Sequence, residues 1–179
     1  MKTLKTITSV LFLFILGHAA SAQKWVTPVI QKYGHIKIYP TAELQPDKNL
    51  DFKMVFNLTK GAEKDGVNIG LWHIARELNL LGATGIKPKH IHLVGVIHGE
   101  ATPIILSNKA YRKRTGKPNP NLALLSDLTA HGVLIYVCGQ AAADANIDPA
   151  TEMNTYIHLS VSALIDLPEF QLKGYALIP

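Results

Sequence analysis

The clearest β-strand of this chain lies in the stretch GVLIYVCG, residues 132–139. Val133–Val137 is rich in β-branched and aromatic residues, which favour extended backbone, and it is bounded by Gly132 and by the pair Cys138-Gly139. The pattern predicts a strand that ends at Cys138, the single cysteine of the sequence.

Further strands are predicted on either side of this stretch. Leu50–Leu58 (LDFKMVFNL) and Ile91–Ile97 (IHLVGVI) precede it, Ile157–Val161 follows it, and Tyr175–Ile178 can add a short fifth strand. Ile91–Ile97 is almost continuously apolar, which is typical of a central parallel strand that is buried on both faces.

The segments between the strands carry helical patterns. In Val67–Leu81, apolar residues recur at helical spacing. Helices are also predicted at Pro103–Arg114, Asn121–Ala130, Ala141–Ala145 and from about Ala163, where Pro168 should limit or break the helix. Helical connections of a dozen or more residues are what parallel strands require. The sequence therefore predicts an α/β fold, a three-layer α/β/α sandwich with a mainly parallel sheet of about five strands.

The N-terminus has the three parts of a secretory signal. Lys2 and Lys5 give a positive start, Val10–Leu16 is apolar, and Ala20–Ala22 offers small residues for cleavage. The apolar run is too short for a bilayer of about 30 Å, and no cysteine follows it to take a lipid, so we expect no stable membrane anchor. We expect an exported bacterial protein, periplasmic or secreted.

These patterns divide the chain into a signal peptide at 1–22, an N-terminal extension at 23–49 and an α/β domain at 50–179. Within the extension, Gly34–Tyr39 is either an added strand or an arm, and prolines make the rest a loop. The formal net charge is +5, of which Lys2 and Lys5 contribute two, and the remainder of +3 gives no reason to expect a nucleic-acid partner.

The carboxyl ends of parallel strands collect ligands and reactive groups at one edge of the sheet. This rule places together Asn57–Gly61, His98–Thr102, Cys138–Gln140 and Ser160–Ser162. Within the second group, His98 is either a helper of the cysteine or a structural hydrogen-bonding group.

Cys138 has the setting of a reactive thiol. It ends a strand and precedes a short helix, so free amide groups and the helix dipole favour its thiolate, and Gly139 leaves space for a substrate. One cysteine cannot close a disulfide within the chain, and free cysteines are often small buried hydrophobes, so an inert role stays open.

Four sequence motifs occur in order along the chain. They are HGEAT at 98–102, Tyr111 with NPNL at 119–122, GVLIYVCGQ at 132–140, and GYALIP at 174–179. Together they resemble the DsrE/DsrF-like sulfur-relay family over roughly residues 51–179. The resemblance implies that Cys138 matches the cysteine on which better understood members hold sulfane sulfur as a persulfide.

The resemblance also implies that sulfur donor and acceptor proteins or small sulfur compounds are the partners, that copies of the chain form a homo-oligomer, and that no metal or organic cofactor is required. We take Cys138 as the catalytic residue. The predicted binding or auxiliary residues are Asn57, His98, Gly99, Gly139 and Gln140. Two classes stay open: a sulfur carrier or sulfurtransferase, and a non-enzymatic oligomeric binding or scaffold protein with a structural cysteine.

A metal site is not predicted. His90 and His92 alternate onto one face of a strand, but no cysteine or carboxylate stands near them at ligand spacing.

Overall fold

A computed structural model describes residues 24–179, so the predicted signal peptide lies outside the described residues. The strands are β1 (Phe52–Leu58), β2 (Glu63–Lys64), β3 (Val67–Asn68), β4 (Ile91–Ile97), β5 (Leu134–Cys138), β6 (His158–Ser160) and β7 (Ala176–Ile178). The helices are α1 (Ile69–Ala83), α2 (Asn108–Thr115), α3 (Leu122–Ala130), α4 (Gly139–Asp144), α5 (Pro149–Glu152) and α6 (Ala163–Leu172), with 3-10 helices at Pro88–His90 and Gly99–Ile105. From residue 24 onward, no helix has the length and apolarity needed to cross a membrane.

Five of the strands form one parallel sheet in the order β6-β5-β4-β1-β7. β4 lies at the centre of this order, and its last five residues are buried, as its almost continuously apolar sequence predicted. Helices flank the sheet on both faces. The predicted α/β sandwich with a mainly parallel five-stranded sheet is confirmed.

The two faces of the sheet are covered unequally. One face packs against α1 and α3 and contains most of the core, including Ile135 and Val137 of β5. The opposite face carries a smaller cluster that includes Cys138 and Ala163, the first residue of α6. Because side chains alternate along a strand, Tyr136 and Cys138 both face α6.

The N-terminal segment is fastened to α1. The buried Asn79 side chain accepts hydrogen bonds from the amides of Val29 and Ile30, at 2.7 and 2.9 Å, and donates to carbonyls of residues 30, 33 and 34. Gly34 has a φ of +67°, and a Cβ there would lie 2.3 Å from the amide nitrogen of Arg76. The strand or arm predicted around Gly34 is an irregular segment with one antiparallel bridge, between Val26 and Ile36.

Some predicted boundaries move because of local capping. The helix expected from Val67 starts at Ile69, since Asn68 accepts hydrogen bonds from the amides of Gly70 and Leu71 and Val67–Asn68 pairs with β2. The helix expected over Pro103–Arg114 is a 3-10 helix followed by α2, which Ser107 caps.

Pro168 does not break α6, which runs through it. The carbonyl of Leu164 loses its helical partner at this proline, but Leu164 is 87% exposed, so water can reach the carbonyl.

Candidate functional site

The cysteine sulfur lies at the junction of three elements. Cys138 is the last residue of β5 and the N-cap of α4, and its side chain contacts the start of α6. The residue is 5% exposed. The thiol is therefore close to the carboxyl edge of the sheet but almost covered by the single chain.

Hydrogen-bond donors converge on the sulfur. The Ala141 amide donates to Cys138 Sγ across 3.5 Å, and Ser162 Oγ lies 3.9 Å from it. Burial alone raises the pKa of Cys138, but hydrogen bonds from the amides of Ala163, Ala141 and Gln140 and from Ser162 outweigh burial and hold the pKa below its ordinary value. The thiolate is stabilised by the first turns of two helices, α4 and α6.

Ser162 can donate to an ionised sulfur because its hydroxyl oxygen accepts a different hydrogen bond. Its hydroxyl oxygen caps α6 by accepting from the amide of Leu164 at 3.2 Å. The hydroxyl proton is then free to turn toward Cys138. Sequence reasoning placed Ser162 at this edge of the sheet but gave it no role. The signal that could have found it is a serine directly before a helical run, the usual N-cap pattern.

Gly139 and Gln140 hold the turn between β5 and α4 against the end of β6. A Cβ at residue 139 would lie 2.9 Å from the carbonyl oxygen of Ser160. The Gln140 side chain donates to the carbonyl of Val161 at 3.3 Å. The backbone oxygens of residues 160 and 161 therefore leave no room for a side chain at residue 139, and a substrate's approach past Gly139 stays a prediction.

His98 and Asn57 form a second pair on the same sheet face. His98 Nε2 lies 2.6 Å from Asn57 Oδ1. An amide oxygen only accepts, so Nε2 carries the proton and Nδ1 presents its lone pair. Burial lowers the pKa of His98, which favours the neutral ring.

His98 follows β4 one register position beyond Ile97, which pairs with Val137, so it is the neighbour of Cys138 across strands about 4.8 Å apart. Among residues 24–179, the hydrogen bond of the His98 ring goes to Asn57 and not to Cys138. Gly99 has a φ of +58° and lies against the carbonyl of Thr59, so its role is in the turn that follows β4.

Apolar side chains that face solvent occur on β6, on α6 and on the residue pair between them. They are Leu159, Val161, Leu164 and Ile165, between 52% and 87% exposed. We call these four residues the apolar rim. The polar Ser160 between them donates to Asp166 and joins β6 to α6.

Comparison with known proteins gives the chain its family. A sequence model of the DsrE/DsrF-like family matches residues 32–179. The chain belongs to the DsrE/DsrF-like family. The match begins inside the segment 23–49, and the division of the chain at residue 50 stays a prediction.

A solved structure of a protein of unknown function from Methanobacterium thermoautotrophicum is similar to this DsrE/DsrF-like chain. The TM-score is 0.54 at 16% identity, over 72% of this chain and 98% of that one, so the likeness shows the fold alone. No curated protein matches the sequence.

Metal ligands do not gather in the described part of this DsrE/DsrF-like chain, where no three His, Cys, Asp or Glu side chains converge. His90, one of the two histidines considered for a metal, lies 2.7 Å from a carboxylate oxygen of Asp51.

Proposed function

We propose that the chain is a sulfur carrier or sulfurtransferase that holds sulfane sulfur as a persulfide on Cys138 and passes it to an acceptor thiol. The observation that carries the proposal is the convergence of amide and hydroxyl donors on the Cys138 sulfur at the starts of α4 and α6. Membership of the DsrE/DsrF-like family agrees with a role in sulfur relay.

The proposed reaction is two successive thiol exchanges. The Cys138 thiolate attacks the outer sulfur of a donor persulfide, a new S–S bond forms on Cys138, and the donor sulfur leaves as a thiolate. An acceptor thiolate then attacks the outer sulfur on Cys138, and the Cys138 thiolate leaves. The donors around Sγ favour the thiolate of Cys138, which is the reactive form in the first step and the leaving group in the second.

Access to the sulfur is part of the proposal. The outer sulfur of a persulfide lies about 2.05 Å beyond Sγ, which would bring it closer to solvent than the 5% exposed cysteine. The apolar rim would supply the contact surface for a donor or acceptor protein, since β6 pairs with the end of β5 that carries Cys138 and α6 contacts the cysteine. Small polysulfides would need no such surface.

Mass spectrometry of the intact protein tests the transfer. After incubation with polysulfide and removal of excess reagent, wild type should gain the mass of one sulfur atom, and Cys138→Ser should gain none. A reduced acceptor thiol should then remove the added sulfur. Because the chain has one cysteine, no other thiol can produce the signal. Unmodified wild type after polysulfide would eliminate the carrier role.

A binding or scaffold protein with a structural cysteine is the second candidate. It is favoured by the low exposure of Cys138 and by its packing with Val55, Val94 and Val96. Alkylation of the native protein separates the two candidates. A thiol that reacts only after unfolding belongs to a scaffold, whereas a carrier must react while folded.

We also propose that sulfur exchange takes place outside the cytoplasm, since the first 22 residues have the pattern of an export signal. The sulfur donors and acceptors of this protein would then be exported proteins or small sulfur compounds. N-terminal sequencing of the protein from a periplasmic or secreted fraction should start at Gln23. A chain that retains Met1 and stays with the cytoplasm would refute export.

A further inference from the structure

A pocket lies where α1 meets the N-terminal segment and the turn between β2 and β3, on elements that do not contact Cys138. Its volume is about 340 Å³, and it is formed by three separate segments of the chain. The lining residues are Trp25, His35, Lys64, Asp65, Trp72 and Arg76. Trp25 and Trp72 are the only tryptophans in the sequence, so both indole rings of the protein occur in one place.

The walls of this pocket are fixed by hydrogen bonds. Arg76 donates from Nε and Nη2 to the carbonyl oxygen of His35 at 3.0 and 2.9 Å, which joins α1 to the N-terminal segment. Trp72 Nε1 donates to Asp65 at 2.8 Å, which joins α1 to the turn between β2 and β3. A ligand would therefore meet a preformed surface and lose little affinity to ordering the protein.

Positive charge is in excess around the pocket. The guanidinium of Arg76 and the ammonium of Lys64 lie over the Trp72 ring at 4.5 and 4.0 Å, and Lys37 lies over Trp25 at 5.1 Å. None of the salt bridges among residues 24–179 involves these three cations. The one carboxylate of the pocket, Asp65, already accepts from Trp72 and lies 3.5 Å from His35.

The pKa of a neighbouring histidine agrees with this excess of positive charge. The pKa of His73, which follows Trp72 on α1, is lowered by burial and by the charges of Arg76, Lys64 and Lys60. A cation that lies on an aromatic face and has no carboxylate partner can still pair with an incoming anion. Trp25 is 54% exposed, so part of its ring can also stack on a ligand.

We propose that this pocket binds a small organic anion that carries a flat ring, with the anionic group paired with the cations Lys64 and Arg76 and the ring on Trp25. The two cations supply charge-assisted hydrogen bonds, and the indole supplies apolar contact, so both parts of the ligand are needed. This site does not depend on the chemistry of Cys138.

Calorimetric titration with 2-naphthoate tests the site. The acid should bind with one site per chain, and neutral 2-naphthamide should bind about tenfold or more weakly, because it cannot form the charged contacts. Lys64→Gln should weaken 2-naphthoate by about the same factor. Lys109→Gln, which removes an equal charge from the exposed side of α2, should leave affinity unchanged.

A second variant separates the ring contact from the charge. Trp25→Leu should weaken 2-naphthoate but not change the weak affinity for acetate, and far-UV circular dichroism should show that both pocket variants are folded. The proposal is overturned if wild type gives no saturable heat at millimolar 2-naphthoate. It is also overturned if the amide binds as well as the acid, or if Lys64→Gln and Lys109→Gln behave alike.

Discussion

At the scale of single residues, the charge of Cys138 results from burial set against hydrogen bonding. The donors at Ala163, Ala141, Ser162 and Gln140 prevail and lower the pKa of the thiol. A lowered pKa means that the folded state favours the thiolate, so this contribution to stability is present above the pKa of the unfolded chain and is lost as the pH falls through the folded pKa.

The rate of alkylation by iodoacetamide should therefore inflect at a lower pH in the folded protein than in an unfolded, urea-treated sample. Only the thiolate reacts, so the inflection of the rate reports the pKa of Cys138. The single cysteine makes the unfolded protein its own reference. Equal inflections in the two states would show that the amides at the two helix starts do not stabilise the thiolate.

Ser162 should contribute to this shift through its hydroxyl proton. Ser162→Gly removes the hydroxyl but costs only a few tenths of a kcal/mol as an N-cap, whereas alanine would cost about 1 kcal/mol. In Ser162→Gly the alkylation inflection should move to higher pH. Ser107→Gly makes the same change at the N-cap of α2, away from the thiol, and should leave the inflection in place. If the inflection moved equally in Ser162→Gly and Ser107→Gly, the shift would result from the loss of an N-cap and not from the loss of the hydroxyl proton beside the thiol.

Gly139 should tolerate no side chain. In Gly139→Ala the new Cβ would meet the Ser160 carbonyl at 2.9 Å, so β6 must shift, and we expect a loss of about 1–3 kcal/mol in the free energy of unfolding. The same shift would move Ser162 away from the sulfur, so alkylation should also change its pH dependence. Urea unfolding and the alkylation profile measure the two effects. A variant as stable as wild type would show that this close approach is not required.

At the scale of elements, Asn79 holds the N-terminal segment to α1. Its side chain joins backbone groups of residues 29–34 while itself fully buried. Asn79→Ala leaves buried backbone groups without partners, each at about 1–3 kcal/mol, unless the segment detaches. We expect faster proteolysis within residues 24–36 and weaker 2-naphthoate binding, because Trp25 and His35 lie on that segment. Unchanged cleavage would mean that Ile30 and Tyr33 hold the segment by packing alone.

The elements that can be predicted from the sequence are those in which a hydrophobic pattern extends over many residues. β4 is predictable because of its nearly continuous apolar run, β5 because of its β-branched and aromatic residues, and α1 because of its helical spacing. The hairpin of β2 and β3 was missed because each strand has two residues, although Asp65-Gly66, both at positive φ, is a known hairpin turn. The short helix α5 is not predicted, although Asp148 at its N-cap and Pro149 in its first turn are residues typical of a helix start.

The site was predictable only in part. The position of Cys138 before a helix follows from the strand-end rule. The hydrogen bonds that α6 contributes to the thiol do not follow from this rule. They depend on the pairing of β6 with β5, which places Ser160 beside Cys138. The Trp25 pocket was missed for a similar reason. It needs residues from the N-terminal segment, a hairpin and α1 to meet, and no local pattern encodes those contacts.

At the scale of the whole molecule, one face of the sheet is thinly covered. α6 packs over β1, β4 and β7, while Leu134 at the start of β5 is 45% exposed and Leu164 and Leu172 on α6 are 87% and 89% exposed. Exposed apolar side chains of this size on one face favour burial against another surface. The homo-oligomer expected from the family resemblance would place a second copy of the chain on this face.

Light scattering of the mature protein should then give a mass above that of one chain. Leu164→Glu places a charge in the apolar rim beside the thiol, so it should shift the mass toward the monomer. Leu44→Glu, at a side chain 90% exposed on the N-terminal segment, is the matched control and should leave the mass unchanged. If a second copy of the chain covers the apolar rim, Cys138 of the monomeric Leu164→Glu variant should also be alkylated faster than Cys138 of wild type. A wild-type protein that is monomeric at every concentration would leave the rim free for a sulfur donor or acceptor.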